Sequence, residues 1–139
     1  MRYMHTMVRV TDLDASLRVH RDALALAVTR RGDVPAGRST LVYLAPRGQP
    51  ESGIELPHNC DPEVYAGGRS FGHVAYAVDD IYAACERLMA HGVTIRRPPR
   101  GGYMAFVRSP DGIPVELPQA SHVLAPAEPC ASMPNVGTW

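Results

Sequence analysis

The sequence predicts one α+β domain built from two copies of a β-α-β-β-β module. In each half a histidine, His5 or His73, opens a short alternating segment that leads through an acidic turn into residues with helical spacing. Each half also ends on an apolar strand-like segment that contains one glutamate, Glu55 or Glu116. Together these matched features indicate a duplicated unit.

The repeats cover residues 1–60 and 69–118, which we treat as a single domain of residues 1–118. Residues 119–139 are rich in Ala and Pro and show no periodicity, so an extended C-terminal tail is expected there.

The composition excludes several classes of protein. Fourteen basic and fourteen acidic residues cancel, which gives no reason to expect a nucleic acid or an acidic membrane surface as partner. No apolar run has the length of a membrane span or resembles a signal peptide, so a cytoplasmic protein is expected. Three scattered cysteines without Cys-x-x-Cys spacing favour a reducing compartment over a disulfide framework or a thiolate cluster.

The first repeat begins with a predicted strand over residues 3–10. Alternation places His5 and Arg9 on one face, opposite the face that carries Val8 and Val10. Asp12 is a suitable N-cap for a helix that runs to about Ala25. His20 lies on the apolar stripe of this helix, so it is expected to be a core residue.

Three further strands are expected in this repeat, over residues 27–31, 39–44 and 54–59. Glu55 and Asn59 share one face of the last strand. Pro57 cannot donate a ladder hydrogen bond, so this segment should be a strand end or an edge strand.

The second repeat starts with a strand from Arg69 to Val78, in which Arg69 and His73 share a face. Asp79 or Asp80 caps the following helix, and Gly92 ends it. The apolar stripe of this helix is Ile81, Ala84, Cys85 and Leu88. Strands are predicted over residues 93–97, 103–108 and 113–117, with a turn at residues 109–112.

Two histidines and two glutamates at matched places predict one divalent metal site. All four lie on the strand faces opposite the main apolar rows. Imidazole and carboxylate suit Ni²⁺, Co²⁺, Zn²⁺ or Fe²⁺, and two glutamates balance the charge of one such ion. The ion would act as a Lewis acid toward the oxygens of an α-hydroxycarbonyl substrate, and a glutamate would act as general base. The predicted ligands are His5, Glu55, His73 and Glu116.

Three polar residues lie four positions from a predicted ligand, on the same face of its strand. They are Arg9, Asn59 and Arg69. Arginine and asparagine are suited to hold the carboxylate of a substrate by charge-assisted hydrogen bonds.

The residues that carry these features resemble those of the lactoylglutathione lyase (glyoxalase I) family, within the vicinal oxygen chelate superfamily. The resemblance covers residues 1 to about 118. The carrying segments are Met4-His5-Thr6-Met7-Val8-Arg9-Val10, Ile54-Glu55-Leu56-Pro57-His58-Asn59, Gly68-Arg69-Ser70-Phe71-Gly72-His73-Val74-Ala75, and Ala105-Phe106-Val107-Arg108-Ser109-Pro110-Asp111-Gly112 leading to Val115-Glu116-Leu117.

The resemblance implies a glyoxalase/bleomycin-resistance fold, in which the two modules form a metal-lined sheet cup. It implies isomerisation of the methylglyoxal–glutathione hemithioacetal to S-D-lactoylglutathione through an enediolate. Glu116 corresponds to the catalytic base, with Glu55 facing it across the metal. Arg9, Asn59 and Arg69 correspond to positions that bind the glutamyl end of glutathione.

The resemblance also implies a homodimer that shares its sites. His5 and Glu55 of one chain would meet His73 and Glu116 of the other. The compact length resembles bacterial forms that prefer nickel or cobalt to zinc.

Two other readings of the same fold remain open. One is a metal-free, ligand-sequestering protein of the bleomycin-resistance type, which has no need of four convergent ligands. The other is a different metalloenzyme, an extradiol dioxygenase or a fosfomycin-type thiol transferase, whose sites resemble two His and one Glu. The second glutamate counts against the latter.

Overall fold

The computed structural model describes residues 1–68 and 70–137. Arg69, Thr138 and Trp139 lie outside the described residues. The chain divides into two compact units, Met1–Ala66 and Gly67–Trp139, and each has its own sheet.

The first unit has the β-α-β-β-β order that the sequence predicts. Its four strands form one sheet in the order β1-β4-β3-β2, with β1 parallel to β4 and the other neighbours antiparallel. The elements are β1 (His5–Met7), α1 (Leu13–Leu17), a π-helical segment (Arg18–Ala23), β2 (Ala27–Val34), a 3₁₀ turn (Pro35–Gly37), β3 (Ser39–Ala45) and β4 (Gly53–Asn59).

The predicted strand over residues 3–10 is shorter than expected, since β1 ends at Met7. The chain nevertheless continues along β4. The Val8 and Val10 amides donate to the carbonyls of Glu55 and Pro57 at 2.9 and 3.0 Å. Val8 and Val10 are both buried, as their alternation predicts.

Pro57 lies in an interior strand, so the prediction of a strand end or an edge is wrong. β4 runs between β1 and β3, and Pro57 pairs with Leu41 of β3. A residue's amide and carbonyl point to the same side of a strand, and the Pro57 carbonyl accepts from Val10. The Pro57 nitrogen, which carries no hydrogen to donate, therefore faces the residues after Met7, where β1 has already ended.

The helix of the first unit begins as predicted but changes its winding. Asp12 is the N-cap, and its carboxylate accepts from the Ala15 amide at 2.8 Å. After Leu17 the helix widens, and the Leu24 amide donates to the Val19 carbonyl, five residues back. The segment ends at Ala23, two residues before the predicted end, because Ala25 adopts a left-handed φ of 60°. His20 is 1% exposed, which confirms it as a core residue.

The second unit has a three-stranded sheet in the order β5-β7-β6. β5 is parallel to β7, and β6 is antiparallel to it. Its elements are β5 (Val74–Ala75), α2 (Ile81–Ala90), β6 (Met104–Arg108) and β7 (Pro114–Pro118).

Helix α2 confirms its predicted cap, stripe and stop. Asp80 accepts from the amides of Tyr82 and Ala83 at 2.9 and 3.0 Å. Gly92 follows the helix with a φ of 76°, a conformation that glycine adopts without steric cost. The buried residues of the helix are Ile81, Ala84, Cys85 and Leu88.

The predicted strand over residues 93–97 is not a strand in the described part of the chain. It is reduced to an isolated bridge between Arg97 and Phe106 of β6. Pro98 and Pro99 follow directly and have no amide to donate, so the ladder stops there. The described residues of the second unit therefore form β-α-β-β rather than the predicted β-α-β-β-β.

The first strand of this unit is also shorter than the predicted span from Arg69 to Val78. Among the residues of this span that the structure describes, only Val74 and Ala75 pair as a strand, with Val115 and Glu116. In this register His73 would face Pro114, which has no amide.

Residues 119–137 pack on the second unit. The Leu124 amide donates to the Gly102 carbonyl at 3.1 Å, and the Val136 amide donates to the Arg96 carbonyl at 3.0 Å. The Arg100 guanidinium donates twice to the Met133 carbonyl, at 3.1 and 2.7 Å. The segment lacks regular structure, yet it is held at several points.

Each sheet buries the residues that flank its glutamate. In β4 these are Ile54 and Leu56, and in β7 they are Val115 and Leu117, all at most 1% exposed. The glutamate between them points to the opposite face. Among the described residues, no helix is long and apolar enough to cross a bilayer.

Candidate metal centre

The first histidine and the first glutamate meet across β1 and β4. His5 Nε2 lies 2.7 Å from Glu55 Oε2. The register pairs His5 with Gly53 and Met7 with Glu55, so the imidazole reaches diagonally to the carboxylate. The side chains are 34% exposed for His5 and 12% for Glu55.

The second pair has the same construction in the other unit. His73 precedes β5, and its Nε2 lies 2.8 Å from Oε2 of Glu116 in β7. The exposed fractions are higher here, 43% for His73 and 21% for Glu116.

An aromatic ring supports each pair from the neighbouring strand. Tyr43 of β3 pairs with Glu55, and Phe106 of β6 pairs with Glu116. The His5 and Tyr43 rings meet edge to face, with centroids 5.5 Å apart and planes at 77°. The corresponding values for the other pair of rings are 5.5 Å and 86°.

Sequence reasoning missed both aromatic residues, because an aromatic residue in a strand is most simply a packing residue. The signal that could have found them is the repeat itself. Each aromatic lies opposite its glutamate in the hairpin that ends the repeat, Tyr43 in one and Phe106 in the other.

The two aromatic residues differ in chemistry, since only Tyr43 carries a hydroxyl. Burial of the phenol, and then the nearby Glu55 carboxylate, raise the pKa of Tyr43 above its ordinary value. The Arg30 guanidinium lies over the Tyr43 ring, with its carbon 5.5 Å from the centroid.

The donor atoms fit a divalent ion. Two ligands held at about 2.1 Å from one ion, at right angles to each other, lie about 3 Å apart. The observed separations between imidazole nitrogen and carboxylate oxygen are 2.7 and 2.8 Å. Each pair thus has the chemistry and spacing of half a coordination sphere, and we call the pairs the first and second half-sites.

No group of three or more His, Cys, Asp or Glu side chains that could hold a metal ion occurs within residues 1–68 and 70–137. What the described chain brings together is His5 with Glu55, and His73 with Glu116.

The predicted substrate-binding residues have different surroundings. Arg9 is exposed, between two residues that bond to β4. Asn59 ends β4, and its side-chain nitrogen lies 3.3 Å from Glu63 Oε2 and 3.2 Å from the Tyr65 hydroxyl. Arg69 lies outside the described residues.

Comparisons with known proteins show which family this chain resembles. Residues 2–117 match the family model described as the glyoxalase/bleomycin resistance protein/dioxygenase superfamily. A lactoylglutathione lyase from Neisseria meningitidis serogroup B is 41% identical over 125 residues, which cover 86% of this chain and 91% of the relative. One from Haemophilus influenzae is 39% identical over 123 residues, 84% of this chain and 91% of the relative.

Among solved structures, a trypanothione-dependent glyoxalase I from Leishmania major matches with a TM-score of 0.78 and 36% identity. The match covers 86% of each chain.

Proposed function

The chain belongs to the glyoxalase/bleomycin resistance protein/dioxygenase superfamily, and we propose that it is a lactoylglutathione lyase. It converts the hemithioacetal of methylglyoxal and glutathione into S-D-lactoylglutathione, and so removes methylglyoxal. The observation that carries this proposal is the pair of matched His–Glu contacts, at 2.7 and 2.8 Å, in a chain about as long as lyases 36–41% identical to it.

His5, Glu55, His73 and Glu116 would hold one divalent ion, which when bound would supply a Lewis acid toward the oxygens of the substrate. The two half-sites that share it come from two copies of the chain, His5 and Glu55 from one and His73 and Glu116 from the other. Nickel or cobalt is the preferred ion, and zinc is the alternative.

Glu116 moves the proton. Its carboxylate takes the proton from the carbon that bears sulfur and hydroxyl, and returns it to the neighbouring carbon, which was the ketone. The hydroxyl proton passes to the former ketone oxygen, which leaves a thioester carbonyl at the first carbon and a hydroxyl at the second. A positioned carboxylate of this kind contributes about 10²–10⁴-fold to a rate. Its partial exposure, 21%, supports a carboxylate that a substrate can reach.

Arg9, Asn59 and Arg69 bind the glutamyl end of glutathione. The exposed guanidinium of Arg9 is available for a charge-assisted hydrogen bond to a substrate carboxylate. The Asn59 side chain, which lies beside Glu63 and Tyr65, donates from its amide nitrogen.

The direct test is metal reconstitution. The purified protein is stripped of metal and supplied separately with Ni²⁺, Co²⁺ or Zn²⁺, and thioester formation from methylglyoxal plus glutathione is followed. We expect at least one ion to restore activity. A folded protein that binds none of these ions, or forms no thioester with any of them, would contradict the proposal.

Matched histidine variants sharpen this test. His5→Ala and His73→Ala should each weaken metal binding, whereas His122→Ala should not, since His122 is exposed and contacts Ser121. Glu55→Gln separates the lyase from the metalloenzymes with two His and one Glu, because a three-ligand site would largely tolerate the loss of Glu55.

A further inference from the structure

A hydrogen-bonded cluster lies at the end of β4, in the first unit. The side-chain nitrogen of Asn59 donates to Glu63 Oε2 at 3.3 Å and to the Tyr65 hydroxyl at 3.2 Å. Both partners belong to the segment that follows β4. Asn59 comes four residues after Glu55, so the two side chains project from the same face of the strand, about 13 Å apart along it.

The two contacts fix which end of the Asn59 amide is open to a substrate. An ionised carboxylate accepts hydrogen bonds and cannot donate one, so the amide atom beside Glu63 is the nitrogen and not the oxygen. A primary amide has two hydrogens, and Glu63 and Tyr65 take one each. Asn59 therefore presents its carbonyl oxygen, which is an acceptor.

The Glu63 carboxylate adds a negative charge to this acceptor. Glu63 is exposed, and within residues 1–68 and 70–137 it forms no ion pair. The neighbouring acid differs, because the Arg38 guanidinium donates to both oxygens of Asp61, at 3.0 and 2.8 Å. A carboxylate and an amide carbonyl side by side are suited to bind a cation that has N–H donors.

The glutamyl end of glutathione carries such a cation. Its α-carbon bears an ammonium group as well as a carboxylate. The carboxylate suits Arg9, which is exposed and lies along β4 between two residues whose amides donate to the carbonyls of Glu55 and Pro57. The ammonium group suits the two acceptors at the end of the same strand.

We propose that Glu63 is a specificity-determining residue, which together with the Asn59 carbonyl binds the ammonium group of the thiol co-substrate, whereas Arg9 binds the carboxylate. This inference rests on the proposed function and deepens it, because it defines the class of thiol. The protein selects a thiol that carries both an ammonium group and a carboxylate, and a thiol with the carboxylate alone is a poorer co-substrate.

The first test compares two thiols. Glutaryl-cysteinylglycine keeps the carboxylate and the thiol of glutathione and lacks only the ammonium group. With methylglyoxal and the metal-loaded protein, we expect KM to be about fivefold higher for the glutaryl adduct and kcat to be similar, since a hydrogen-bonded ion pair at an exposed site contributes on this scale. Equal KM values would overturn the inference.

Glu63→Gln assigns the difference to one charge. Glutamine keeps an acceptor oxygen for the Asn59 amide, so the variant removes the charge and spares the hydrogen bond. KM for the glutathione adduct should rise to that of the glutaryl adduct, whose own KM should not change. An equal rise for both adducts would indicate a purely structural role for Glu63 and overturn the inference.

Glu51→Gln is the matched control. Glu51 is exposed in the loop before β4, at the opposite end of this strand from Asn59, and the variant removes the same charge from the first unit. Both KM values should stay as they are in the unaltered protein. A loss of the preference for glutathione in this variant would mean that the net charge of the unit, rather than Glu63, selects the thiol.

Glu63→Lys gives the opposite charge and tests the inference even if Glu63→Gln folds poorly. A lysine at this position repels the ammonium group and attracts the carboxylate. The preference should therefore reverse, with a lower KM for the glutaryl adduct than for the glutathione adduct. A preference for glutathione that survives this change would overturn the role of Glu63.

Binding of S-methyl thioethers separates this inference from the proposed function, because it needs no turnover. S-methylglutathione should bind about fivefold more tightly than the S-methyl glutaryl peptide, measured by calorimetry. If that difference is found but no thioester forms with any metal ion, the proposed function fails and the recognition of the ammonium group stands. If thioester forms and the two thioethers bind equally, this inference fails alone.

Discussion

The two units place a histidine against a glutamate in the same way but surround the pair differently. His5 lies in a strand parallel to that of its glutamate, His73 directly precedes such a strand, and in both units an aromatic ring lies on the antiparallel side. The ring is Tyr43 in the first half-site and Phe106 in the second, and the first glutamate is the less exposed of the two. The two units thus share the His–Glu contact and differ in the residue opposite the glutamate.

The largest expected effect comes from exchanging each carboxylate for an amide. Glu116→Gln should lower kcat about 100-fold or more at saturating metal, because the variant cannot accept the proton. Glu55→Gln should act mainly through metal affinity. Turnover and metal content measured on both variants check this contrast, and equal kcat losses at full metal loading would break it.

The next largest effect is expected from substitution of the buried leucines that follow the two glutamates. Leu56 and Leu117 are 0% and 1% exposed, so truncation of either to alanine leaves a cavity. Each should lower the free energy of unfolding by about 2–5 kcal/mol, measured by urea denaturation. Similar losses would show that each core depends on the strand that carries its glutamate, β4 or β7. A loss below about 1 kcal/mol at one position would show that the core of that unit does not depend on its strand.

The helix caps give a smaller effect. The Asp12 carboxylate accepts one backbone hydrogen bond, from Ala15, whereas the Asp80 carboxylate accepts two, from Tyr82 and Ala83. Replacement by alanine should cost about 1 kcal/mol at each cap, with the larger loss at Asp80. The measurement is the shift of the urea midpoint, and a larger loss at Asp12 would contradict the ranking.

The mildest probe leaves the fold intact and compares the thiols of the two units. Cys60 is exposed in the first unit, whereas Cys85 and Cys130 are buried in the second. Burial raises the pKa of Cys85 to about 12, and it raises the pKa of Cys130 as well. At about pH 8 a thiol-specific reagent should therefore label Cys60 quickly and the other two only after unfolding, because thiolate is the reactive form.

The stoichiometry of labelling, counted by mass spectrometry, checks this prediction. Cys60→Ser is its control, since it should abolish the fast phase. Rapid labelling of two or three thiols in the folded protein would mean that the second unit opens readily.

The sequence was sufficient to predict the duplicated architecture and the partners within each half-site. Matched residue types at matched places, His5 with Glu55 and His73 with Glu116, carry information that single residues lack. Helix α2 could also be predicted from the sequence, because its N-cap, its apolar stripe and Gly92 all indicate the same helix.

The parts that were not predictable depend on neighbours along other strands. Strand β5 is short, and residues 93–97 form no strand, because nearby prolines cannot donate hydrogen bonds to a ladder. The alternation of polar and apolar residues does not reveal this effect. The interior position of Pro57 depends on where β1 ends. The position of Tyr43 opposite Glu55 depends on the register of a hairpin, and the packing of Cys130 depends on contacts of a segment without periodicity.

Residues 119–137 have a consequence for association between sheets. On the outer side of the second sheet, Val136 bonds to the carbonyl of Arg96, next to the bridge at Arg97, and so occupies backbone groups that could otherwise pair with another chain. The first sheet ends instead in β2, whose exposed residues include Arg31 and Asp33, and charge on an outer strand discourages such pairing. One outer edge is covered and the other is charged, so removal of residues 119–137 should expose the backbone of the covered edge and favour edge-to-edge association there.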